Sequence, residues 1–379
     1  MNEKFDIVCI GGGLSSLLFL NYLKNIYPEK KIIVLEKNKN TRADQTLCAW
    51  VGSEIPNIET MHAVKPKKEW KKIKIESTTN QCILNIEPYS YVAYESKTLL
   101  NALIKKLGKN IKYQSNFDVK KVIPGNIFKI ISKDGNIIQS EFVIDSRPLV
   151  NKSSFKNKEN LFQAFIGEEI KVDQDLFDED KVTLMNFKEN NEAIEFTYIL
   201  PFSKREALVE TTFFAREVNW QSIRKSHEIT MKKYGRYKKL RLEKAILPMG
   251  IINSTMNEGM LKIGSNAGMI RPSTGYSMQR VIHWIKSLEK QSAGEFKTQD
   301  YFYKSPTILD WMDKIFLRAC YYDPKIGPKL FLSFFKTGNI GSVIRFMSDQ
   351  PSLGDIFRII WALPKWPMIK NIFSNHANR

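Results

Sequence analysis

The sequence predicts an α/β protein whose first domain is discontinuous, with a mainly antiparallel β-sheet domain inserted into it and a helical region at the carboxy terminus. Three observations lead there. Near the start, apolar runs at Phe5–Ile10 and Ile32–Leu35 flank a glycine-rich turn, Gly11–Ser15, and a segment of helical period, Leu17–Asn25. Between Leu161 and Pro248, strand-like alternation dominates. Beyond Phe296 the pattern turns helical, and Pro324, Pro328, Pro351, Pro364 and Pro367 divide it into short helices.

Between these landmarks, residues up to about Val51 read as irregular, Lys65–Lys74 is dense in lysine, and Ser96–Leu107 suits a short helix. Ile127–Ser132 and Asn136–Ser140 flank the turn Lys133-Asp134-Gly135 as a hairpin, and Phe142–Ile144 reads as a buried strand ending at Asp145. Phe196–Leu200 and Ala207–Phe214 form a second expected hairpin, joined by the polar stretch Pro201–Glu206, with Arg205 at its surface. A short strand at Ile263 leads into Gly264–Gly268 and Pro272–Tyr276, followed by a helix over Met278–Leu288. The partition expected is residues 1–55, 96–160 and 255–295 for the first domain, 56–95 and 161–254 for the inserted one, and 296–379 for the helical region.

The 379 residues, 43% of them hydrophobic, suffice for a core able to hold a large ligand. A net charge of +18 would draw the chain toward anionic surfaces or substrates. Nucleic acid is not the expected partner, because zinc spacing, RNA-binding signatures and basic-region heptads are all missing. Cys9, Cys48, Cys82 and Cys320 lack paired spacing, which points to a reducing compartment. No run of eighteen apolar residues occurs, so a membrane-spanning helix is not expected.

Gly11 and Gly13 follow a strand and open a helix, so that backbone N–H groups and the positive helix end can meet a pyrophosphate. Ser16 replaces the third glycine, and Leu14 and Ser15 complete the turn. Glu36 lies 23 positions after Gly13, at the end of the second strand, where a carboxylate accepts from ribose hydroxyls; Lys37 stands beside it. Such a unit can serve FAD or a nicotinamide cofactor. The late segment Gly264, Asn266 and Gly268, with Thr274, Gly275 and Tyr276, favours FAD in a two-part Rossmann-like domain, because a late strand returns beside the first. Ser265 and Asn266 occupy the place where many flavoproteins carry an aspartate.

Phe162–Gly167, Tyr198–Pro201, Leu208–Thr212, Leu247-Pro248 and Pro272–Ser277 occur in the order of signature segments in bacterial lycopene beta-cyclases, and the chain resembles that family along nearly its whole length. It departs from the family pattern at Asn186, at Arg271, at Gln45–Leu47 and at Asp145–Pro148. The resemblance implies cyclisation of the psi end groups of lycopene, or a related acyclic carotenoid, to beta rings without net redox change. It also implies FAD kept reduced by NAD(P)H. Glu210 matches the family's catalytic acid. Strand alternation puts it on one face with Leu208, Thr212 and Phe214, where apolar surroundings would keep a carboxylic acid protonated. Phe196, Tyr198 and Tyr276 are the candidate aromatic faces for a cationic intermediate. In the tail, Phe331–Phe335 and Phe357–Phe373, with Trp361, Trp366, Arg358, Lys365 and Lys370, suit attachment to the inner face of the cell membrane from the cytoplasm, the alternative being that these residues only cap the core. The competing reading is an FAD-dependent hydroxylase or prenyl reductase.

Overall fold

A computed structural model describes residues 3–41, 45–148, 155–156, 158–253, 258–289 and 294–365. Its first sheet is built from β1 (Glu3–Ile10), β2 (Ile32–Leu35), β8 (Ile111–Gln114), β9 (Val119–Ile123), β10 (Phe128–Ser132), β11 (Ile137–Asp145) and β17 (Met260–Lys262). The order is β8-β2-β1-β11-β10-β9, with β17 also paired to β11. β8, β2, β1, β11 and β17 run parallel, whereas β9–β10–β11 is an antiparallel meander. The predicted hairpin is present, but its second strand and the buried strand after it are one element, because β11 pairs with β10 at its start and with β1 along its length.

Helices α1 (Leu14–Ile26), α3 (Ser96–Lys105) and α5 (Met278–Leu288) cover one face of this sheet. The four-residue run of β2 is buried throughout, as a strand covered on both faces requires. Leu17, Leu20 and Leu23 of α1 pack with Val281, Ile282 and Ile285 of α5 in the largest core cluster.

The second sheet takes β5 (Lys72–Glu76), β6 (Gln81–Asn85), β12 (Leu161–Val172), β13 (Lys181–Lys188), β14 (Ile194–Ser203), β15 (Glu206–Ala215) and β16 (Tyr237–Met249). Its order is β16-β12-β15-β14-β13-β5-β6, antiparallel except where β13 meets β5. The β14–β15 hairpin turns at Lys204-Arg205, more tightly than the sequence suggests. Pro201 stays in the strand, opposite Ala207, and its carbonyl accepts the Trp70 indole N–H at 3.1 Å. Arg205 is exposed and paired with Asp175. Several elements are absent from the sequence expectations, among them a helix and a strand. The helix α4 (Trp220–Met231) lies on β12 and β15, and the stretch read as irregular contains β3 (Thr46–Val51). β3 joins β7 (Ser90–Glu95) and β4 (Lys68–Trp70) in a three-stranded sheet, so pairing of Thr46 with Glu95 and Val51 with Ser90, not local pattern, makes it a strand. A short helix, α2 (Ile58–His62), follows it.

The carboxy-terminal helices are α6 (Thr307–Tyr322), α7 (Gly327–Phe335), α8 (Ile340–Met347) and α9 (Leu353–Ala362). Pro328 stands in the first turn of α7, Pro351 just before α9 and Pro364 just after it, where a missing N–H or a forced break costs least. α7 and α8 pack on the second sheet: Phe331 stacks on Phe187 at 5.8 Å and meets Phe316 at 5.2 Å. Phe331, Leu332 and Phe335 are therefore core residues, so of the two readings of that segment the core-capping one holds for them. Pro367, Trp366, Lys370 and Phe373 lie outside the described residues.

Candidate functional site

The turn after β1 delivers Gly13 as the helix N-cap with no side-chain cap, and no acidic residue occupies the first turn of α1. The leading N–H groups are thereby left for an anion. A Cβ on Gly13 would meet nothing within 4 Å, so a phosphate has room to approach. Gly11 has a φ of 96°, and a Cβ there would fall 2.5 Å from Ser146 Oγ. Ser146 in turn donates to the Ile10 carbonyl at 2.9 Å and receives the Ser16 hydroxyl at 2.7 Å. The third-glycine position is thus a built contact in this chain.

Glu36 accepts the Gly12 N–H at 2.8 Å and the Asn38 N–H at 2.9 Å, which fixes its carboxylate beside the turn. Lys37 is exposed at the outer end of this region. Beyond β17, residues Gly264–Ala267 form one turn of 3-10 helix. A Cβ on Gly264 would lie 2.7 Å from Ser15 Oγ, so the early and late glycine segments are in contact. Ser265 and Asn266 are half-buried there, with Gly268 closing the turn in the left-handed region at a φ of 78°. The Thr274 hydroxyl is buried with no hydrogen-bond partner among the described residues. A free cap, an open cradle and an unsatisfied hydroxyl together fit an extended dinucleotide such as FAD.

Leu14, Thr274, Gly275 and Tyr276 also line a cavity of about 520 Å³ that reaches the second sheet and the carboxy-terminal helices. Phe165, Phe196, Leu208, Phe316 and Phe331 make its wall predominantly apolar. Glu210 projects into it from β15, only 7% exposed. Leu208 shares that wall, Thr212 donates its hydroxyl to Glu210 Oε1 at 2.7 Å, and Phe214 is buried in the adjoining core. Tyr198, opposite Glu210 in the β14–β15 register, shares a hydrogen bond of 2.8 Å with Tyr91, which shares another of 2.8 Å with Tyr276. The Tyr198 hydroxyl also donates to Cys48 Sγ at 3.3 Å. Burial holds these phenols far above their ordinary range, and the Cys48 thiol is pushed up to about 12.

The Glu210 carboxyl is raised to about 8, first by burial and then by the charge of Glu243. Glu243 was not picked out from sequence. Its place in β16 is hidden by the basic run Lys238–Arg241, although it alternates in phase with Ala245 and Leu247, which share its wall. Thr46 and Cys48, on the unforeseen strand β3, were missed for the same reason as the strand itself.

Arg271 is fully buried and binds Asp313 at 3.3 Å and Asp349 at 3.1 Å, which ties the late segment to α6 and to the turn before α9. On α9, Leu353, Phe357 and Trp361 are more than 70% exposed. Trp311 and Ile360 belong both to the cavity wall and to the exposed apolar surface, so the cavity opens there.

The described residues contain no helix long and apolar enough to cross a membrane. Among solved structures, a geranylgeranyl bacteriochlorophyll reductase-like protein from Thermoplasma acidophilum aligns over 98% of this chain and 99% of its own, with a TM-score of 0.64 at 15% identity. The two-part Rossmann-like α/β fold with its inserted antiparallel sheet and helical end is therefore the architecture predicted. A lycopene beta-cyclase of Pseudescherichia vulneris is 22% identical over 286 residues, covering 73% of this chain and 71% of the relative. A chloroplastic neoxanthin synthase of Solanum lycopersicum is 24% identical over 301 residues, covering 73% of this chain but 58% of the longer plant protein. The family model described as lycopene cyclase protein matches residues 6–372, and the chain belongs to the lycopene cyclase family.

Proposed function

We propose that this protein binds FAD and cyclises the psi end groups of lycopene, or of a related acyclic carotenoid, to beta rings by acid-base chemistry. The observation that carries the reading is the placement of Glu210. A carboxyl that burial keeps protonated lies in an apolar cavity whose wall continues, through Leu14 and Thr274–Tyr276, to the dinucleotide turn.

Gly11, Gly13 and Ser15 would receive the pyrophosphate, Glu36 the adenosine ribose, and Asn266 and Thr274 the polar chain near the ring. Bound FAD, kept reduced by NAD(P)H, would supply an electron-rich ring that offsets positive charge in the cavity. Glu210 protonates C2 of the terminal double bond: its O–H bond breaks, a C–H bond forms, and C1 of the substrate becomes cationic. The neighbouring double bond attacks C1, and the C6 proton returns to the Glu210 carboxylate as the ring closes. Phe196, Tyr198 and Tyr276 line the path of the cation, where desolvated ring faces contribute about 1–2 kcal/mol each. The apolar wall keeps out water that would capture the cation.

An apolar substrate of this kind dissolves in the bilayer, and the exposed Trp311 and Ile360 at the cavity mouth, with Leu353, Phe357 and Trp361 exposed on the same helix as Ile360, suit docking to it from the cytoplasmic side. Arg358 and Lys365 supply cations for anionic lipid on the same helix and just beyond it.

Expression in a lycopene-accumulating host tests the assignment. The expected result is an orange or yellow pigment of the same mass as lycopene. Unchanged red pigment would refute the cyclase reading, and a product two or more hydrogens heavier would replace it with a reductase.

A further inference from the structure

Gly167 of β12 is the register partner of two glutamates at once, Glu210 on β15 and Glu243 on β16. Neighbouring strands are about 4.8 Å apart, so both side chains rise from the same face on either side of a position that has none. A Cβ on Gly167 would sit 3.3 Å from Glu210 Cβ and 3.2 Å from Leu208 Cδ1, so the glycine keeps the gap between the two carboxyls open. Both are buried and both line the same cavity.

Their surroundings differ. Glu243 accepts the Thr46 N–H at 2.9 Å, the Thr46 hydroxyl at 3.0 Å and Arg241 Nη1 at 3.0 Å. Arg241 is itself held by Glu169 at 3.0 Å, and Glu169 by Lys67 at 2.5 Å. Glu210 receives only the Thr212 hydroxyl among the described residues. The other titratable groups facing the pair are the Cys48 thiol on β3 and the phenols of Tyr91 on β7, Tyr198 on β14 and Tyr276, all neutral near pH 7 because burial raises them.

We infer that Glu210 and Glu243 form a carboxyl pair that holds one proton across Gly167, with Glu243 the ionised member and Glu210 the protonated one. This deepens the cyclase reading and rests on it for its catalytic meaning. Three donors favour charge on Glu243, one leaves Glu210 the better place for the proton, and two adjacent charges in an apolar wall repel. Glu243 is therefore a positioning residue. It keeps Glu210 loaded near neutrality, and after proton transfer its fixed charge attracts the substrate cation and favours return of the C6 proton. The pair begins and ends each turnover with one proton. Burial raises both carboxyls, and the Thr46 and Arg241 donors oppose that rise at Glu243.

The test is a titration of the full-length protein labelled with 13C at glutamate carboxyls, followed by NMR, in the parent and in Glu243→Gln. Assignment of the Glu210 signal comes from Glu210→Gln. Coupling predicts that the Glu210 midpoint falls by about one pH unit or more in Glu243→Gln, as loss of a like charge requires. Should that variant fail to fold, Glu210→Gln reports the coupling from the other side: the parent's Glu243 signal shows a second inflection at the Glu210 midpoint, and Glu210→Gln loses it. A Glu210 midpoint unchanged within about 0.3 unit in Glu243→Gln, or a Glu243 signal that never shows that second inflection, would overturn the pair whatever the protein catalyses. In the cyclisation assay the alkaline limb of the pH profile should move down with the midpoint. Absence of ring formation by the parent, with the NMR shift intact, would refute the cyclase reading and leave the pair standing.

Discussion

The burial of Glu210, on which its proposed acid-base role depends, also makes the native state bind a proton that the unfolded chain releases. Its proton affinity rises from an ordinary 4.5 to about 8. Between those limits the native state holds more protons than the unfolded one, so unfolding free energy falls as pH rises and levels off above about 8. The isosteric Glu210→Gln carries no such proton. Its melting temperature should gain on the parent's steadily from pH 5 to pH 8 in scanning calorimetry, and a constant difference would contradict a buried neutral acid. Cyclisation by Glu210→Gln should drop at least ~100-fold in a reconstituted assay, the range expected for loss of a positioned proton donor. Parental rates in that variant would assign the proton to another group.

At the scale of elements, α1 and α9 present unpartnered ends or faces whose chemistry can be separated from folding. A Cβ added at Gly13 meets no atom within 4 Å, and Gly13→Asp supplies an N-cap oxygen, which stabilises a helix by about a few tenths of a kcal/mol over glycine. The same carboxylate would repel a pyrophosphate. The variant should melt no lower than the parent without flavin, yet bind FAD at least ~10-fold more weakly in a fluorescence-quenching titration. Equal affinity would move the cofactor away from this turn. For α9, Phe357 and Trp361 are exposed one turn apart, and burying each in a bilayer interface contributes about 1.5–3 kcal/mol. Phe357→Glu with Trp361→Glu should reduce sedimentation with anionic liposomes at least ~10-fold while leaving the circular dichroism spectrum unchanged. Sedimentation equal to the parent's would show that this face does not dock.

Across the whole molecule, Asp313 joins parts that are distant in sequence: it accepts the Ser273 hydroxyl at 2.7 Å and pairs with Arg271 from within α6. Asp313→Ala leaves a buried guanidinium short of a counter-charge, and a loss of about 3–5 kcal/mol is expected in denaturant unfolding. A loss below 1 kcal/mol would mean that Asp349 alone neutralises Arg271. Arg271 departs from the family pattern, and its partners became identifiable only when α6 and the turn before α9 were folded against it. The same distinction separates what could be read early from what could not. The sequence by itself determined the β1–turn–α1–β2 unit, the β14–β15 hairpin and the proline-divided helices, because glycine spacing, two-residue alternation and proline breaks are constraints between near neighbours. It also singled out Glu210, through the order of its signature segments. Only the tertiary structure decided that Thr46–Val51 is a strand, that Phe331 and Phe335 face the core, and that Glu243 stands beside Glu210. β12 precedes both glutamates in the chain yet lies between their strands, and what shares a face across three strands is set by long-range register that no local pattern records.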